Sequence, residues 1–351
     1  MTSSRALEFL RTDPLRTTRV VPDPLPAPGP GELLFEVERF TLTSNNVTYA
    51  RRGDALGYWA PFPAGEEGWG RVPAWGLARV VDGDPALAAP GELFLGYVPM
   101  ATHVLVRAEA VSHGLRATAP EWAGMHPLYR DLLPVSGDVD DTGLAVLPGV
   151  PAAAHLGEEL RGAARVVVSS ATSRTAITAA VLLRRAGVPV VGLTAATRVG
   201  RAERAEVYDE VLDYDHAGDV RPAPGTVYVD VAGRPEVTAA VARALGSTLV
   251  RSLRVGVTQP DDEAPVAVPG PAVEQFNVGL RRVEVAAERG EEQLIALERR
   301  ARDPLVAWAG AHLVAERVPG LEGAREAWTR TWRGEVDPLA AVTVVPRPGT
   351  P

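Results

Sequence analysis

The stretch 165–193 combines two hydrophobic periodicities that belong to different secondary-structure elements. A β-branched apolar run at 166–168 stops at the small, mostly hydroxylated residues 169–175. A helical pattern follows at 174–186, and a second apolar run occupies 188–193. The sequence therefore predicts strand, tight turn, helix and strand, which is the βαβ unit whose turn can hold the phosphates of a dinucleotide.

The same alternation continues through the second half of the chain. Further strands are predicted at 210–213, 226–231 and 247–252, and further helices at 200–207 and 235–245. Repeated βα units predict a parallel sheet with helices on both faces. A long charged helix over 283–302 and a closing strand over 340–345 complete the prediction.

The first 150 residues follow a different pattern. The segment 32–38 partly alternates apolar and charged residues, as a half-buried strand does. Short strands are also predicted at 76–81, 93–98 and 101–107. Pro and Gly are frequent between these segments, and short strands joined by such loops indicate a small barrel-like domain.

These two patterns divide the 351 residues into two domains of an α/β protein. We expect a β-rich substrate and catalytic domain over residues 1–154, with a C-terminal return over residues 290–351. A dinucleotide-binding domain, built on a doubly wound parallel sheet, is expected over residues 155–289.

Composition narrows the range of partners to small molecules. The formal net charge is −8 and no basic run occurs, which argues against a nucleic acid or an anionic membrane surface. Apolar stretches are strand-sized, far below the ~20 residues of a membrane-spanning helix. Residues 1–20 carry scattered charges and no apolar core, so no secretory signal peptide is predicted and the expected location is cytoplasmic.

Two residue types are missing from the chain. It has no cysteine and no lysine, so all 36 basic residues are arginine. Thiolate metal sites, disulfides, Schiff-base chemistry and a phosphate-binding lysine are therefore excluded. The six histidines show no metal-ligand spacing, so no metal site is expected, and no G-x-S-x-G turn supports a hydrolase.

The turn inside the βαβ unit is the first candidate site. Phosphate binding requires backbone N–H groups at a helix N-terminus and side chains small enough for close approach. The turn supplies small or hydroxylated residues and one arginine, and the candidates are Ser170, Thr172, Ser173, Arg174 and Thr175. The usual glycines are missing, and Ser and Thr also form ordinary helix N-caps, so that alternative stays open.

The end of the next strand decides which dinucleotide fits. NAD sites place Asp or Glu there, whereas NADP sites use small polar residues with an arginine. Thr194 and Arg198 lie at and after this strand end, without an acid, which favours the 2′-phosphate of NADPH. The alternative is that Arg198 is a solvated residue of a surface loop.

The segment 43–53 gathers polar groups between two apolar segments. Tyr49 can donate a proton to a developing enolate, and Asn45 or Asn46 can orient the substrate or the nicotinamide. The competing interpretation is a helix cap with a packing tyrosine. His126 is a further candidate acid or base, although a lone histidine is more often structural.

Large aromatic residues are concentrated shortly after this segment, at Tyr58, Trp59, Phe62, Trp69 and Trp75. Such residues can wall an apolar substrate cleft. They also anchor loops by packing, and we expect this second role for at least half of them.

The order of these parts resembles the medium-chain dehydrogenase/reductase superfamily, and within it the zinc-independent quinone-oxidoreductase-like branch. Residues 44–53 resemble the branch motif N-x-x-D-x-Y-x-R-x-G, with Tyr49 matching and Ser44 and Val47 departing. Residues 229–233 resemble its D-x-x-G element near the nicotinamide. The resemblance implies a GroES-like β-rich domain and a Rossmann-type domain that binds a nicotinamide cofactor.

More narrowly, the chain resembles the uncharacterised DUF2855 family in the segments SNNVTYARRGDALGYW, GWGRVPAWG, SSATSRTA, VVGLTAATR and YDEVLDYD. That family has lysine where this chain has Arg174, which exchanges an ammonium for a guanidinium. The resemblance places Tyr214 beside the adenosine half of the cofactor. Residues 126–160 match poorly, so the substrate pocket is the part least defined by the resemblance.

The sequence thus predicts a zinc-independent, NADPH-dependent oxidoreductase that transfers hydride to an activated C=C, or a C=O, of a small organic substrate. The alternative is a non-redox lyase, isomerase or cyclase on the same scaffold, with Tyr49 and His126 as acid and base. A third hypothesis is a protein that senses NADPH without chemistry. Because dimers are common in the superfamily, the resemblance also leaves a homodimer open.

Overall fold

The computed structural model describes residues 2–137, 139–256 and 270–347. The chain divides into two compact units, Met1–Ala145 with Val314–Pro351, and Val146–Leu313. The range 155–289, predicted to bind a dinucleotide, lies within the second unit.

The first unit contains the β-rich part of the chain. Its strands are β1 (Arg5–Leu10), β2 (Thr18–Pro22), β3 (Glu32–Thr41), β4 (Trp69–Gly70), β5 (Pro73–Gly83), β6 (Leu93–Pro99), β7 (His103–Val111), β8 (Gly114–Ala117), β9 (Asp131–Pro134), β16 (Val314–Pro319) and β17 (Ala340–Val345). Its α-helices are α1 (Ser44–Arg51), α2 (Pro127–Arg130), α3 (Asp141–Leu144) and α10 (Gly320–Trp332).

Strands of the first unit close into a barrel. They pair in the order β3-β5-β6-β9-β8-β7, and β7 pairs again with β3. Phe35 on β3 and Phe94 on β6 meet edge to face inside it, with ring centroids 5.9 Å apart. The barrel-like domain predicted from the short strands and Pro/Gly loops is confirmed.

The C-terminal part of the chain completes the core of this unit. β17 pairs with β3, and β16 lies parallel to β17. Between them, α10 carries Trp328, which is 1% exposed and lies 4.9 Å from the Phe9 ring centroid. The Trp328 indole N–H donates to the Leu15 carbonyl at 3.1 Å. The last strands and helix therefore belong to the same core as the first strand.

The second unit contains the alternating βα part. Its strands are β10 (Arg165–Ser169), β11 (Val190–Thr194), β12 (Glu210–Asp213), β13 (Thr226–Asp230), β14 (Leu249–Val255) and β15 (Val273–Phe276). Its α-helices are α4 (Val150–Glu159), α5 (Arg174–Arg185), α6 (Val199–Glu203), α7 (Pro235–Leu245), α8 (Val278–Arg289) and α9 (Glu291–His312).

The strands of this unit form a parallel sheet in the order β12-β11-β10-β13-β14-β15. Val167 packs with Tyr228 and Val241 on the face covered by α7. Val166 and Val168 point to the other face, toward apolar side chains of α4 and α5. Because alternate residues of β10 meet helices on opposite sides, the predicted doubly wound sheet is confirmed.

The prediction of one long charged helix over 283–302 is wrong. The chain forms α8 and α9 instead, separated by Gly290 in the left-handed region at φ +88°. Glycine adopts this conformation without a steric penalty, so it ends α8. The strand β15 was not predicted, because its four residues are mostly exposed and show no apolar run.

Gly192 on β11 lets the turn after β10 lie close to the sheet. A Cβ at Gly192 would stand 2.9 Å from the Ala171 Cβ and 3.0 Å from the Tyr208 ring. The Ala171 N–H donates to the Leu193 carbonyl at 2.9 Å, and the Tyr208 hydroxyl donates to the Ala171 carbonyl at 2.7 Å. The glycine that allows this close approach therefore lies on the neighbouring strand and not in the turn.

We expect Gly192→Ala to lower the free energy of unfolding by about 1–3 kcal/mol, because the added methyl group overpacks the contact between turn and strand. Denaturant unfolding measures this loss. Gly200→Ala is the matched control, since a Cβ there meets no atom within 4 Å. An equal loss of stability in both variants would contradict the assignment.

Candidate functional site

A buried hydrogen-bonded pair marks the point where the strand order reverses, between β10 and β13. Ser169 ends β10 and Asp230 ends β13, and both are 0% exposed. The Ser169 hydroxyl donates to Asp230 Oδ1 at 2.9 Å and accepts the N–H groups of Val231 and Ala232, each at 2.9 Å. Ligands of open α/β sheets bind at the carboxyl edge beside such a reversal. The pair therefore holds both loops that border this crevice.

Ser170 gives the turn a glycine-like backbone. Its φ is +56°, in the left-handed region where non-glycine residues are uncommon. Its N–H donates to the Tyr214 hydroxyl at 3.1 Å, and its carbonyl accepts the Ser173 N–H at 2.7 Å. Backbone strain of this kind persists where surrounding contacts impose it, and it is concentrated at functional sites. The turn thus keeps a conformation that the missing glycines would otherwise supply.

The start of α5 follows directly. The Ser173 oxygen accepts the Ala176 N–H at 3.2 Å, so the N-cap interpretation holds for this residue. Thr172 is buried and Thr175 is half-buried. Burial lowers the pKa of Arg174 to about 10, so the guanidinium stays cationic at neutral pH. Arg174 thus adds its charge to the positive end of the helix dipole, where anions are favoured.

The end of β11 offers a cation without a competing acid. Thr194 is its last residue and is 2% exposed, while Arg198 is half-buried in the 3₁₀ turn Ala196–Arg198. Within the described ranges, no carboxylate or carbonyl oxygen lies within hydrogen-bonding distance of the Arg198 guanidinium. Asp213, the register neighbour of Thr194 on β12, is engaged by His216 at 2.7 Å.

Tyr214 connects the turn to a further arginine. The Arg234 guanidinium lies 5.0 Å from the Tyr214 ring centroid, a cation–π contact. Burial raises the pKa of Tyr214, and the charges of Arg234 and Arg198 oppose this effect. Sequence reasoning missed Arg234 and also Arg254 at the end of β14, because neither belongs to a local motif. Their only sequence signal is their position at or just after a predicted strand.

The structure places the two asparagines of α1 differently. Asn46 is 2% exposed, its Oδ1 accepts the Thr43 N–H at 2.8 Å, and its Nδ2 donates to the Pro73 carbonyl at 2.9 Å. Both ends of this amide are thus engaged in capping α1 and joining it to β5. The Asn45 side chain is exposed. Of the two candidates, Asn45 is the one whose amide faces solvent.

Tyr49 belongs to a group of tyrosines, Tyr49, Tyr58, Tyr97 and Tyr129, called here the tyrosine cluster. The Tyr49 ring centroid lies 4.6 Å from that of Tyr58 and 5.6 Å from that of Tyr97. Tyr129 lies 5.1 Å from Tyr97, and Trp75 lies 5.4 Å from Tyr97. Burial raises the pKa of all these phenols. They therefore remain protonated at neutral pH, so none of them is a base that abstracts a proton there.

The remaining sequence candidates have structural contacts. The Nδ1 of His126 accepts the Leu128 N–H at 3.1 Å and caps α2, so a neutral His126 carries its proton on Nε2. Trp59 and Phe62 are buried in the core of the first unit, and Trp69 stacks with the Arg19 guanidinium at 3.8 Å. Three of the five predicted aromatic residues therefore anchor loops, while Tyr58 and Trp75 reach the tyrosine cluster.

Among the described residues, no group of three or more His, Asp or Glu side chains is arranged to hold a metal ion. No helix in the same ranges is long and apolar enough to cross a membrane.

A model of the family described as protein of unknown function DUF2855 matches residues 40–337. The chain belongs to the DUF2855 family. The predicted family resemblance is confirmed, and the family's description assigns no activity. No curated protein matches the sequence significantly.

Solved structures share the fold at low sequence identity. Mycobacterial Rv1454c complexed with NADPH superposes with a TM-score of 0.65 at 17% identity, covering 98% of this chain and 100% of that chain. CurA in complex with NADPH from Vibrio vulnificus superposes with a TM-score of 0.63 at 16% identity, covering 99% of this chain and 100% of that chain. A mutant enoyl thioester reductase from Candida tropicalis superposes with a TM-score of 0.62 at 12% identity, covering 98% of this chain and 100% of that chain. The likeness confirms the predicted fold, a GroES-like β-rich part with a Rossmann-type sheet.

Two buried tyrosines should respond oppositely to removal of their hydroxyl groups. Tyr208→Phe leaves the buried Ala171 carbonyl without its 2.7 Å donor, and we expect a loss of about 1–3 kcal/mol in unfolding free energy. The Tyr97 hydroxyl is buried beside the Tyr49 hydroxyl but makes no well-aligned hydrogen bond in the described part of the chain. Tyr97→Phe should therefore be neutral or stabilising in the same denaturation experiment, and a larger loss for Tyr97→Phe would refute this.

Proposed function

We propose that this protein is an NADPH-dependent, zinc-independent oxidoreductase that reduces an activated C=C of a small organic substrate. The observation that carries the proposal is the turn after β10. It combines left-handed Ser170 with Arg174 at the start of α5, beside the reversal of the strand order. Support comes from structures of the same fold that hold NADPH. The non-redox alternative has no comparable support.

The turn would hold the pyrophosphate through backbone N–H groups and small side chains. The residues assigned to it are Ser170, Thr172, Ser173, Arg174 and Thr175. The Ser173 oxygen already accepts a backbone N–H, so this hydroxyl can contribute only its hydrogen to a phosphate. Arg174 would add its positive charge to that of the helix N-terminus.

Arg198 would supply the positive charge for the 2′-phosphate. Thr194 is small and buried, so its contribution is to replace the acid that would repel this phosphate. Tyr214 contacts the turn through the Ser170 N–H, and the charge of Arg198 acts to lower its pKa. This arrangement favours NADPH over NADH.

The chemistry requires one hydride and one proton. NADPH would supply a hydride from its nicotinamide C4 to the electron-poor carbon of the substrate, and the electrons of the C=C bond would move into an enolate. Tyr49, protonated at neutral pH, would donate its phenolic proton and regain one from solvent. Asn45 would orient the substrate, and the buried Asn46 would hold α1 in place. The acid or base role of His126 remains a prediction, as do a cytoplasmic location and a homodimer.

NADPH should stabilise the protein against heat. A ligand at one hundred times its dissociation constant contributes about 2.7 kcal/mol, so NADPH should raise Tm clearly and NADH much less. Arg198→Ala should abolish the difference between the two cofactors. Arg201→Ala, three residues further along, serves as the control and should keep it. The absence of any shift with either cofactor would rule out the proposed function.

Tyr49→Phe should lower kcat by a factor on the order of 10² to 10⁴, because a positioned general acid is lost, while the NADPH-induced Tm shift persists. Burial raises the pKa of Tyr49 above its ordinary value, so the donating form persists as pH rises. The rate should therefore show no decline due to Tyr49 between about pH 7 and pH 9.

Tyr58→Phe is the matched control, because it removes a neighbouring phenol of the tyrosine cluster. It should leave the NADPH-dependent rate within about threefold of the wild type. Full activity of Tyr49→Phe, or a loss of equal size in both variants, would show that Tyr49 is not the proton donor.

A further inference from the structure

Arg254 lies near the end of β14, at the carboxyl edge of the parallel sheet. It is the register partner of Asp230 across β13 and β14, and its Nε lies 3.5 Å from Asp230 Oδ2. That carboxylate already accepts the Ser169 hydroxyl and the Gly233 N–H, each at 2.9 Å. Both bonds end on Oδ1, and Oδ2 accepts only the Thr238 hydroxyl at 3.4 Å, so the Nε side of Arg254 faces the less engaged oxygen and balances the buried charge.

The donors of Arg254 are divided between the interior and solvent. Its Nε is buried and has no hydrogen-bond acceptor among the described residues, yet its side chain is 29% exposed. The exposed end carries Nη1 and Nη2, for which the described ranges contain no acceptor either. A guanidinium presents such terminal N–H groups as a rigid fork that matches the two oxygens of a carboxylate.

The order of the strands separates Arg254 from the cations assigned to the cofactor. Neighbouring strands lie ~4.8 Å apart, so β14 is about 10 Å from β10 and about 14 Å from β11. Arg174 and Arg198 belong to the β10 and β11 side. A dinucleotide bound across the reversal, with its adenosine toward β11, extends its nicotinamide half toward β13 and β14.

The nicotinamide ring brings no phosphate to this side of the crevice. The Nε side of Arg254 faces Asp230, but its terminal N–H groups have no anionic partner on the cofactor, so an anion for them would come from a second ligand. The protein carries a net charge of −8, which does not attract anions in general, and a local arginine is then needed to bind one.

We propose that Arg254 binds a carboxylate of the substrate, so that the substrate is an anionic, activated alkene. Arg254 is a specificity-determining residue in this assignment, and it takes no part in hydride or proton transfer. The inference rests on the proposed function, because it uses the orientation of the bound cofactor to assign the β14 side to the substrate.

The test compares two alkenes that differ in one negative charge, monoethyl fumarate and diethyl fumarate, as oxidants of NADPH. The wild type should have the lower KM for the monoester. Arg254→Gln should raise that KM about tenfold or more, as expected for loss of a charged hydrogen bond, with the diester KM changed less than about twofold. The kcat for both alkenes should stay within about threefold.

Matched variants separate binding from folding. Arg251→Gln lies on the same strand, but its guanidinium is engaged by Glu274 at 2.6 Å and Glu159 at 2.5 Å, so the ratio of the two KM values should not change. Arg254→Lys keeps the charge without the fork and should be intermediate. In Arg254→Gln the buried Asp230 carboxylate has lost its cation, and the double variant with Asp230→Asn removes that negative charge. The double variant should show the same loss of preference for the monoester as Arg254→Gln alone.

The outcomes distinguish this inference from the proposed function. An NADPH-induced Tm shift retained in Arg254→Gln, with selective loss of the monoester, supports the assignment. Equal changes in KM for both esters would overturn the assignment of Arg254. So would a wild type that prefers neither ester, in turnover or in binding to the NADPH-saturated protein. Both results leave the cofactor assignment intact. A protein that binds no NADPH fails the proposed function first.

Discussion

The contact between Ser169 and Asp230 is the constraint on which the candidate site depends. It joins the ends of β10 and β13 at the point where consecutive βα units run to opposite sides of the sheet. Because both side chains are fully buried, each must find its hydrogen-bond partners within the protein. They do so by binding each other and the backbone N–H groups of the loop after β13. The crevice thus has walls held by buried polar groups and not by exposed loops alone.

The turn above this pair shows how the backbone of a glycine-rich turn can form without the usual glycines. Ser170 adopts the left-handed backbone, Tyr208 holds the Ala171 carbonyl, and Gly192 provides the space beneath. Each replaces one property that a glycine-rich turn combines in a single segment. The proposed phosphate site also requires positive charge, which arginines would supply because the chain lacks lysine.

Local pattern was sufficient to predict the elements that build the sheet. The predicted strand at 165–169 and helix at 235–245 coincide with β10 and α7, because both have strong periodicity and clear ends. The interruption at Gly290 was not predicted, since a charged helical pattern continues on both sides of it. The edge strand β15 was not predicted for a related reason, because an exposed strand lacks the apolar run that marks a strand in the sequence.

The candidate site was predictable only where its residues are adjacent in sequence. Ser170 to Thr175 form one turn, and Thr194 with Arg198 follow one strand, so both could be proposed from the chain alone. The tyrosine cluster could not, because Tyr49, Tyr97 and Tyr129 lie on three separate elements and come together only in the folded unit. Asn46 shows the opposite error, since its side chain caps α1, as the competing interpretation had it, and also donates to Pro73, which no local pattern reveals.

The route of the chain through the first unit has a consequence for biosynthesis. β1 and β17 lie at opposite ends of the polypeptide, and the core around Phe9 includes Trp328. A ribosome therefore releases every residue of Val146–Leu313 before the first unit has received α10 and β17. The parallel sheet can finish folding while the barrel still exposes part of its apolar core, so the nascent barrel is the segment that needs protection from aggregation during synthesis.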